Sequence, residues 1–337
     1  MRVLGAKDVA ALLRGQEEAV LAAVELAYRR HEEGATVLPH SVFVRPPGQS
    51  LNRIIALPAW VGGELGMAGI KWISSFPGNV ERGFNRASAV IVLTSTETGL
   101  PLALLEGSLV SAHRTAASAA AAARLLHARR QVDRLALVGG GAIQLEILRY
   151  LRHGFRLDGE VVLFDNGPEG GARFAAVVER LFGLRVGLAS SAAQALAGAD
   201  VLSLATTAAK PHLDSLERLR PGATVLHVSL RDLAPEVILG SDNVVDDRDH
   251  VLRAETSLHL AEQAVGNRAF IRASLGELLL GRQPVRPEPE RLTVFSPFGL
   301  GVLDLAVADW VYRCAEQAGL GRTVEDFQPR PWWEVEA

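Results

Sequence analysis

The chain has 337 residues, 48% hydrophobic and 22% charged, with a formal net charge of −3. That length allows one large or two medium domains with a substantial core, and the slightly acidic balance argues against a dedicated nucleic-acid surface, which would be basic. One cysteine, Cys314, excludes an intrachain disulfide and any multi-cysteine zinc site. No signal peptide is read in Met1 to Asp8, and no run of about 18 apolar residues requires a membrane span, so the cytoplasm is the expected location.

Residues 16–33 place Val20, Val24, Ala27 and Tyr28 at the spacing of an amphipathic helix. The period then shortens. Residues 41–45, 53–57, 67–73, 89–93 and 100–105 are strand-like runs separated by Pro-Pro-Gly, Gly-Gly, Pro-Gly-Asn and Thr-Glu-Thr-Gly turns. Such short links suit an antiparallel or mixed sheet. An alanine-rich helix from Ser108 to about Leu126 carries Arg114 and leads into a second domain. From Leu135 strands and helices alternate: strands at 135–138, 160–165, 184–188, 201–205, 224–229 and 243–246, helices at 142–153, 169–182, 191–198 and 214–219. This rhythm predicts a parallel sheet with helices on its faces. Residues 255–281 read as helical, 292–295 as a last strand and 301–317 as a last helix.

The segment Leu135-Ala-Leu-Val-Gly-Gly-Gly-Ala-Ile-Gln144 is a strand, a glycine turn and a helix start, the geometry that presents a helix N-terminus to a pyrophosphate. Gly139 permits the tight turn, and Gly141 permits close backbone approach. Gln144 stands where a third glycine would pack helix on strand, which predicts a looser contact there. Asp165 ends the next strand, 26 residues past Gly139 (165 − 139). An acid there binds ribose hydroxyls and repels a 2′-phosphate, favouring NAD over NADP; alternatively it only opens the Asp-Asn-Gly-Pro turn. Thr206 and Thr207 end the fourth strand, on the side of such sheets that faces ligands.

Four cations, Arg45, Arg53, Lys71 and Arg114, fall in the first part of the chain. Lys71 interrupts an apolar run and must be paired or snorkel to water. Together they suggest a substrate with carboxylates, which arginine holds bidentately and lysine as a point charge. Asp232 follows the fifth parallel strand and suits a general base for water, or else a loop cap. Asp246, Asp247 and Asp249 read as a solvated helix start. Cys314, in an apolar helix, reads as a small buried hydrophobe. The histidines show no metal-ligand spacing, so no metal is expected, and no Gly-x-Ser-x-Gly elbow is present.

Four segments together resemble the ornithine cyclodeaminase/mu-crystallin family: Gly69-Ile-Lys-Trp-Ile-Ser-Ser-Phe-Pro-Gly-Asn79, Ala112-His-Arg-Thr-Ala-Ala-Ser-Ala119, Val138-Gly-Gly-Gly-Ala-Ile-Gln144 and Ser296-Pro-Phe-Gly-Leu-Gly-Val-Leu-Asp304. The resemblance implies an α/β fold in which a Rossmann NAD domain (121–296) is inserted in a split α+β substrate and dimerisation domain (1–120 and 297–337). It implies a homodimer joined through the substrate-domain sheets. Asp232 then matches the catalytic acid, and Arg45, Lys71 and Arg114 the cations that clamp the α-carboxylate. Gly139, Gly141, Ala142, Ile143, Asp165, Thr206, Thr207, Ser229, Phe298 and Gly299 are expected to hold NAD, with Ser296 to Gly299 closing over the nicotinamide.

Asn52 to Ala59, Lys71 to Ser74 and Arg86 to Leu93 are most similar to the branch that makes 2,3-diaminopropionate for siderophores or antibiotics. That branch oxidises N-(2-amino-2-carboxyethyl)-L-glutamate with NAD and hydrolyses the imine. Ornithine cyclodeaminases carry a glutamate three residues before the proline of the second strand. Here that position is Ile55, which cannot bind an ammonium group, whereas Arg53 suits an additional carboxylate. Ornithine cyclisation and nucleotide binding without turnover are the alternative readings.

Overall fold

A computed structural model describes residues 1–49, 51–329, 331 and 333. The expected C-terminal segment therefore has residues 330, 332 and 334–337 outside the described ones. The first elements are β1 (Arg2–Leu4), α1 (Ala6–Leu13), α2 (Glu17–Glu32), β2 (Thr36–Val37), β3 (Val42–Val44), β4 (Arg53–Val61), β5 (Met67–Ser75), β6 (Ala87–Ser95), β7 (Pro101–Glu106) and α3 (Gly107–Leu126). There follow β8 (Arg134–Val138), α4 (Ala142–Gly154), β9 (Glu160–Phe164), α5 (Pro168–Phe182), β10 (Gly187–Leu188), α6 (Ala192–Leu196), β11 (Val201–Leu204) and β12 (Thr224–His227). The chain continues through α7 (Pro235–Gly240), β13 (Asp242–Val245), α8 (Ser257–Val265), β14 (Ile271–Ser274), α9 (Leu275–Leu279), β15 (Thr293–Ser296), α10 (Gly301–Ala318) and β16 (Arg322–Thr323).

Two compact units result. One comprises Met1–Gln16, Glu33–Ser111 and Gly301–Ala337; the other comprises Glu17–Glu32 and Ala112–Leu300. The helix α2 and residues 112–120 and 297–300 thus fall in the second unit, whereas the sequence places them with the first. The reason for α2 is visible in its side chains. Tyr28 bonds to Ser118 (2.7 Å), Glu32 accepts from Ser274 (2.7 Å), and Arg29 donates to the Leu279 carbonyl.

The first unit is a mixed sheet in the order β16-β1-β7-β6-β5-β4-β2, with β3 also on β4. Alternation puts Leu57, Ala59 and Val61 on one face. The helix α10 covers that face closely. A Cβ on Gly301 would sit 3.4 Å from the side chains of Leu57 and Ala59, and one on Gly69 would sit 3.0 Å from Leu305. Every residue from Gly301 to Asp309 is buried.

The second unit is an all-parallel sheet in the order β10-β9-β8-β11-β12-β15-β13-β14. The chain adds β9 and β10 on one side of β8 and then β11 and β12 on the other, which makes β8 a topological switch point. Strands this buried are near-continuous apolar runs, as Leu135 to Val138 and Val201 to Leu204 are.

Three sequence readings are corrected here. Residues 214–219 form no helix; Leu216 and Leu219 are buried in a loop pinned by bonds from Gly198 to Arg218 and from Arg220 to Ala199. Residues 255–281 are not one helix, because α8 stops at the left-handed Gly266 (φ +70°) and Ile271–Ser274 pairs with β13. The acidic run at 246–249 is not a solvated helix start: Asp246 is buried, and Asp247 pairs with His31 and His250, both at 2.9 Å.

Candidate active site

The carboxyl ends of the parallel strands carry most of the expected site residues of the second unit. After β8, Gly139 has φ +91°, and a Cβ there would meet the Ala205 carbonyl at 2.5 Å. Only glycine fits that turn. Gly141 caps α4, and a Cβ on it would meet nothing within 4 Å. This open backbone at a helix N-terminus is the cradle a pyrophosphate needs. Ala142 and Ile143 form the first turn of α4 behind it.

Asp165 accepts the backbone N–H groups of Gly140 (2.7 Å) and Gly167 (2.8 Å). It therefore anchors the glycine turn to the end of β9. The expected looseness at Gln144 is not found. Its amide is fully buried, donates to Ser203 Oγ at 2.9 Å and accepts from it at 3.2 Å. A paired polar contact ties α4 to β11 where a glycine would have done so by close approach.

Asp232 sits in a strained loop after β12. Leu230 beside it has φ +69°, an uncommon conformation for a branched residue. The loop is held by the bond from Ser257 N to the Leu230 carbonyl (2.7 Å) and by Arg231 donating to the Ala254 carbonyl (2.6 Å). The Asp232 carboxylate is fully buried and accepts the hydroxyls of Thr206 and Ser229. His212 approaches it at 3.1 Å and His227 at 3.4 Å. Burial alone would raise its pKa, but His227 and the two hydroxyls outweigh burial and hold the carboxyl well below the usual carboxylate range. Thr206 and Ser229, expected at the cofactor, thus bond the catalytic candidate, while Thr207 is exposed. His212 and His227 were not assigned a role by sequence; the one available signal is the position of His227 at a strand end. His227 also contacts Ser296 of β15 at 3.0 Å.

Asp246 receives the Gly299 N–H at 2.7 Å, and burial raises its pKa. Gly299 has φ +94°, and a Cβ on it would lie 2.9 Å from the Arg114 guanidinium. Asp246 thereby fixes the Phe298–Gly299 turn, and the bare glycine lets Arg114 pack against it. Arg114 is itself buried.

In the first unit, Lys71 does not snorkel. It is 2% exposed, ion-paired to Asp304 at 2.6 Å and bonded to Ser111 at 3.2 Å. Leu57 of β4 pairs with Lys71, Ile55 with Ile73 and Arg53 with Ser75. Because alternate residues share a face, Arg53 and Lys71 point to the same side of the sheet, with Ile55 and Ile73 between them. Arg45 follows β3 with its guanidinium over Phe43. Among the described residues no helix is long and apolar enough to cross a membrane.

An all-parallel sheet with a glycine turn and an acid at its switch point, together with a separate mixed sheet with a buried Lys71–Asp304 ion pair, defines a Rossmann-type dinucleotide-binding protein with a second unit. The chain belongs to the ornithine cyclodeaminase/mu-crystallin family, whose model matches residues 2–319. It is 31% identical over 309 residues to the N-((2S)-2-amino-2-carboxyethyl)-L-glutamate dehydrogenase of Staphylococcus aureus, covering 87% of this chain and 90% of that protein. Among solved structures, the Delta(1)-pyrroline-2-carboxylate reductase of Thermococcus litoralis in complex with NADH and L-proline matches with a TM-score of 0.89 at 25% identity, over 96% of this chain and all of that one. An archaeal alanine dehydrogenase dimer with bound NAD matches with a TM-score of 0.85 at 27% identity, over 97% and 99% of the two chains.

Proposed function

We propose that the chain is an NAD-dependent dehydrogenase of N-(2-amino-2-carboxyethyl)-L-glutamate, within the broader class of oxidoreductases that act on a CH–NH bond of amino or imino acids. The products are 2-oxoglutarate and L-2,3-diaminopropionate. The observation that carries the substrate assignment is the sheet face bearing Lys71 and Arg53 with Ile55 between them. That face suits carboxylates and offers an apolar residue where a diamine would need an acid. The S. aureus relative supports it.

The reaction balances as substrate, NAD⁺ and water giving 2-oxoglutarate, diaminopropionate, NADH and a proton. Hydride leaves the glutamate Cα, the nitrogen loses its proton, water adds to the resulting C=N carbon, and the C–N bond breaks. NAD, when bound, supplies the hydride acceptor. The turn at Gly139 and Gly141 and the helix α4 hold its pyrophosphate, and Asp165 its ribose. Arg45, Lys71 and Arg114 are the α-carboxylate cations in this reading. Asp232 stays ionised throughout and stabilises cationic charge as it develops on the substrate nitrogen, while orienting the water. A carboxylate saturated with donors suits that electrostatic work better than proton abstraction.

The protein works as a homodimer in this reading. The other face of the first unit's sheet exposes Val42, Trp72 and Val90 in one cross-strand row, at 58%, 43% and 40% exposure. A contiguous apolar row on a sheet face is a site for a second copy of the chain.

The test is to mix the purified protein with NAD⁺ and the conjugated amino acid and to follow NADH absorbance and 2-oxoglutarate. Appearance of both supports the assignment; absence of both overturns it. Proline and ammonia formed from L-ornithine would replace it with the cyclisation.

A further inference from the structure

A third arginine lies beside Arg45 and Arg53. β4, β5 and β6 hold Arg53, Ser75 and Ala87 in one cross-strand row, and Arg86 immediately precedes Ala87. Arg86 Nη1 donates to Ser75 Oγ at 2.6 Å, so its guanidinium returns to that row. Arg45 enters from the other side: Val44 pairs with Ile54, which puts Arg45 next in register opposite Arg53. Arg53 and Arg86 are both half-buried, and Arg53 Nε is buried without a hydrogen-bond partner. Among the described residues no carboxylate pairs with any of the three. Burial lowers the pKa of both Arg53 and Arg86, and like charge lowers each further, from Arg45 on the first and from Arg53 on the second.

Three neighbouring guanidiniums without a counter-ion destabilise the folded chain. An anion would relieve that cost. The row lies on the Lys71 face, since Lys71, Ile73 and Ser75 alternate onto one side of β5. Ser75 lies four positions along the strand from Lys71, about 14 Å, with Ile55 and Ile73 as an apolar floor between them.

We infer that Arg53 and Arg86 form a second carboxylate subsite, with Ser75 positioning Arg86, and that its ligand is the distal carboxylate of an acidic amino-acid or 2-oxo-acid substrate. The inference rests on the proposed function for the identity of the substrate, and it makes Arg86 a specificity-determining residue. A guanidinium fork suits this task because it holds a carboxylate by two parallel bonds.

The experiment compares 2-oxoglutarate with 2-oxobutyrate, which lacks the distal carboxylate. In the reductive direction, with NADH and 2,3-diaminopropionate, Arg86→Gln should lower the ratio of kcat/KM for 2-oxoglutarate over 2-oxobutyrate at least tenfold, mainly through KM. Arg86→Lys should recover part of it, and Ser75→Ala should move KM and not kcat. Calorimetric titration of both acids into the NAD-loaded protein decides the subsite separately from turnover. Selective weakening of 2-oxoglutarate in Arg86→Gln, with NADH affinity within twofold of wild type and a melting temperature of the free protein at or above that of wild type, supports the subsite even if no turnover is found and the functional reading fails. An unchanged ratio, equal weakening of both acids, or no binding of 2-oxoglutarate to the wild type overturns it.

Discussion

Lys71 and Asp304 form a buried ion pair, Nζ to Oδ2 at 2.6 Å, with side chains 2% and 0% exposed. The partners are 233 residues apart in sequence, and the bond fixes α10 on the sheet. Both ions lose their hydration, so each depends on the other. Removing either partner alone, as in Lys71→Met or Asp304→Leu, should destabilise the protein by about 3–5 kcal/mol, because a buried charge is left uncompensated. The double variant should recover most of that loss yet lack turnover, because the proposed reaction uses Lys71 to hold the substrate carboxylate. Urea denaturation of the three variants checks the cycle. A double variant as unstable as the sum of the singles would mean that the two residues act independently.

Gln144 and Ser203 predict a second coupling. Gln144→Ala strips a partner from the buried Ser203 hydroxyl, at a cost of about 1–3 kcal/mol. Adding Ser203→Ala should cost little more, since both polar groups are then gone. NAD affinity should change by less than about threefold in either variant, because the turn at Gly139 and Gly141 proposed to hold the pyrophosphate is untouched. A large loss of NAD affinity would assign Gln144 to the cofactor site and not to packing.

The elements that carried a clean period were legible: the amphipathic α2, the alternating β3 to β7, and the strand–turn–helix of β8 and α4. Two-residue strands such as β2 and β16 are shorter than any period can reveal, and they exist through their neighbours' register. Lys71 was visible because a charge in an apolar strand has to be explained. Its partner was not, because Asp304 is brought to it by the packing of α10. Asp246 sits in a run of acids that reads as solvated, and only the 298–299 turn buries it. Arg86 lies at the end of a turn-rich stretch where an arginine is unremarkable by sequence; only its bond to Ser75 turns it back over the sheet. Leu216 and Leu219 show the converse failure, helical spacing that the fold uses in a loop.

The exposed row Val42–Ala56–Trp72–Val90 predicts the state of assembly. Trp72→Glu places a charge in the middle of that row without disturbing the buried face, since Trp72 alternates with Lys71. The wild type should migrate as a dimer and Trp72→Glu as a monomer in light scattering coupled to size exclusion. A variant that remains dimeric would place the interface elsewhere.

Asp232 makes a prediction in which the sign of the pH effect matters. Its folded pKa is depressed below the unfolded value of about 3.9. As pH falls, the unfolded chain therefore takes up the proton first. The stabilisation is fully present above about pH 5 and is lost below about pH 4, toward the folded value. Asp232→Asn should show a shallower loss of stability in that acid window. At pH 7 it should be less stable by about 1–3 kcal/mol, because an amide NH₂ is turned against the hydroxyl donors of Thr206 and Ser229. Turnover should fall at least a hundredfold while NAD affinity holds within threefold, which separates a charge acting on the substrate from a structural role. The wild-type kcat profile should contain no ionisation of Asp232 between pH 5 and pH 8. Retained turnover in Asp232→Asn would remove the carboxylate from the mechanism.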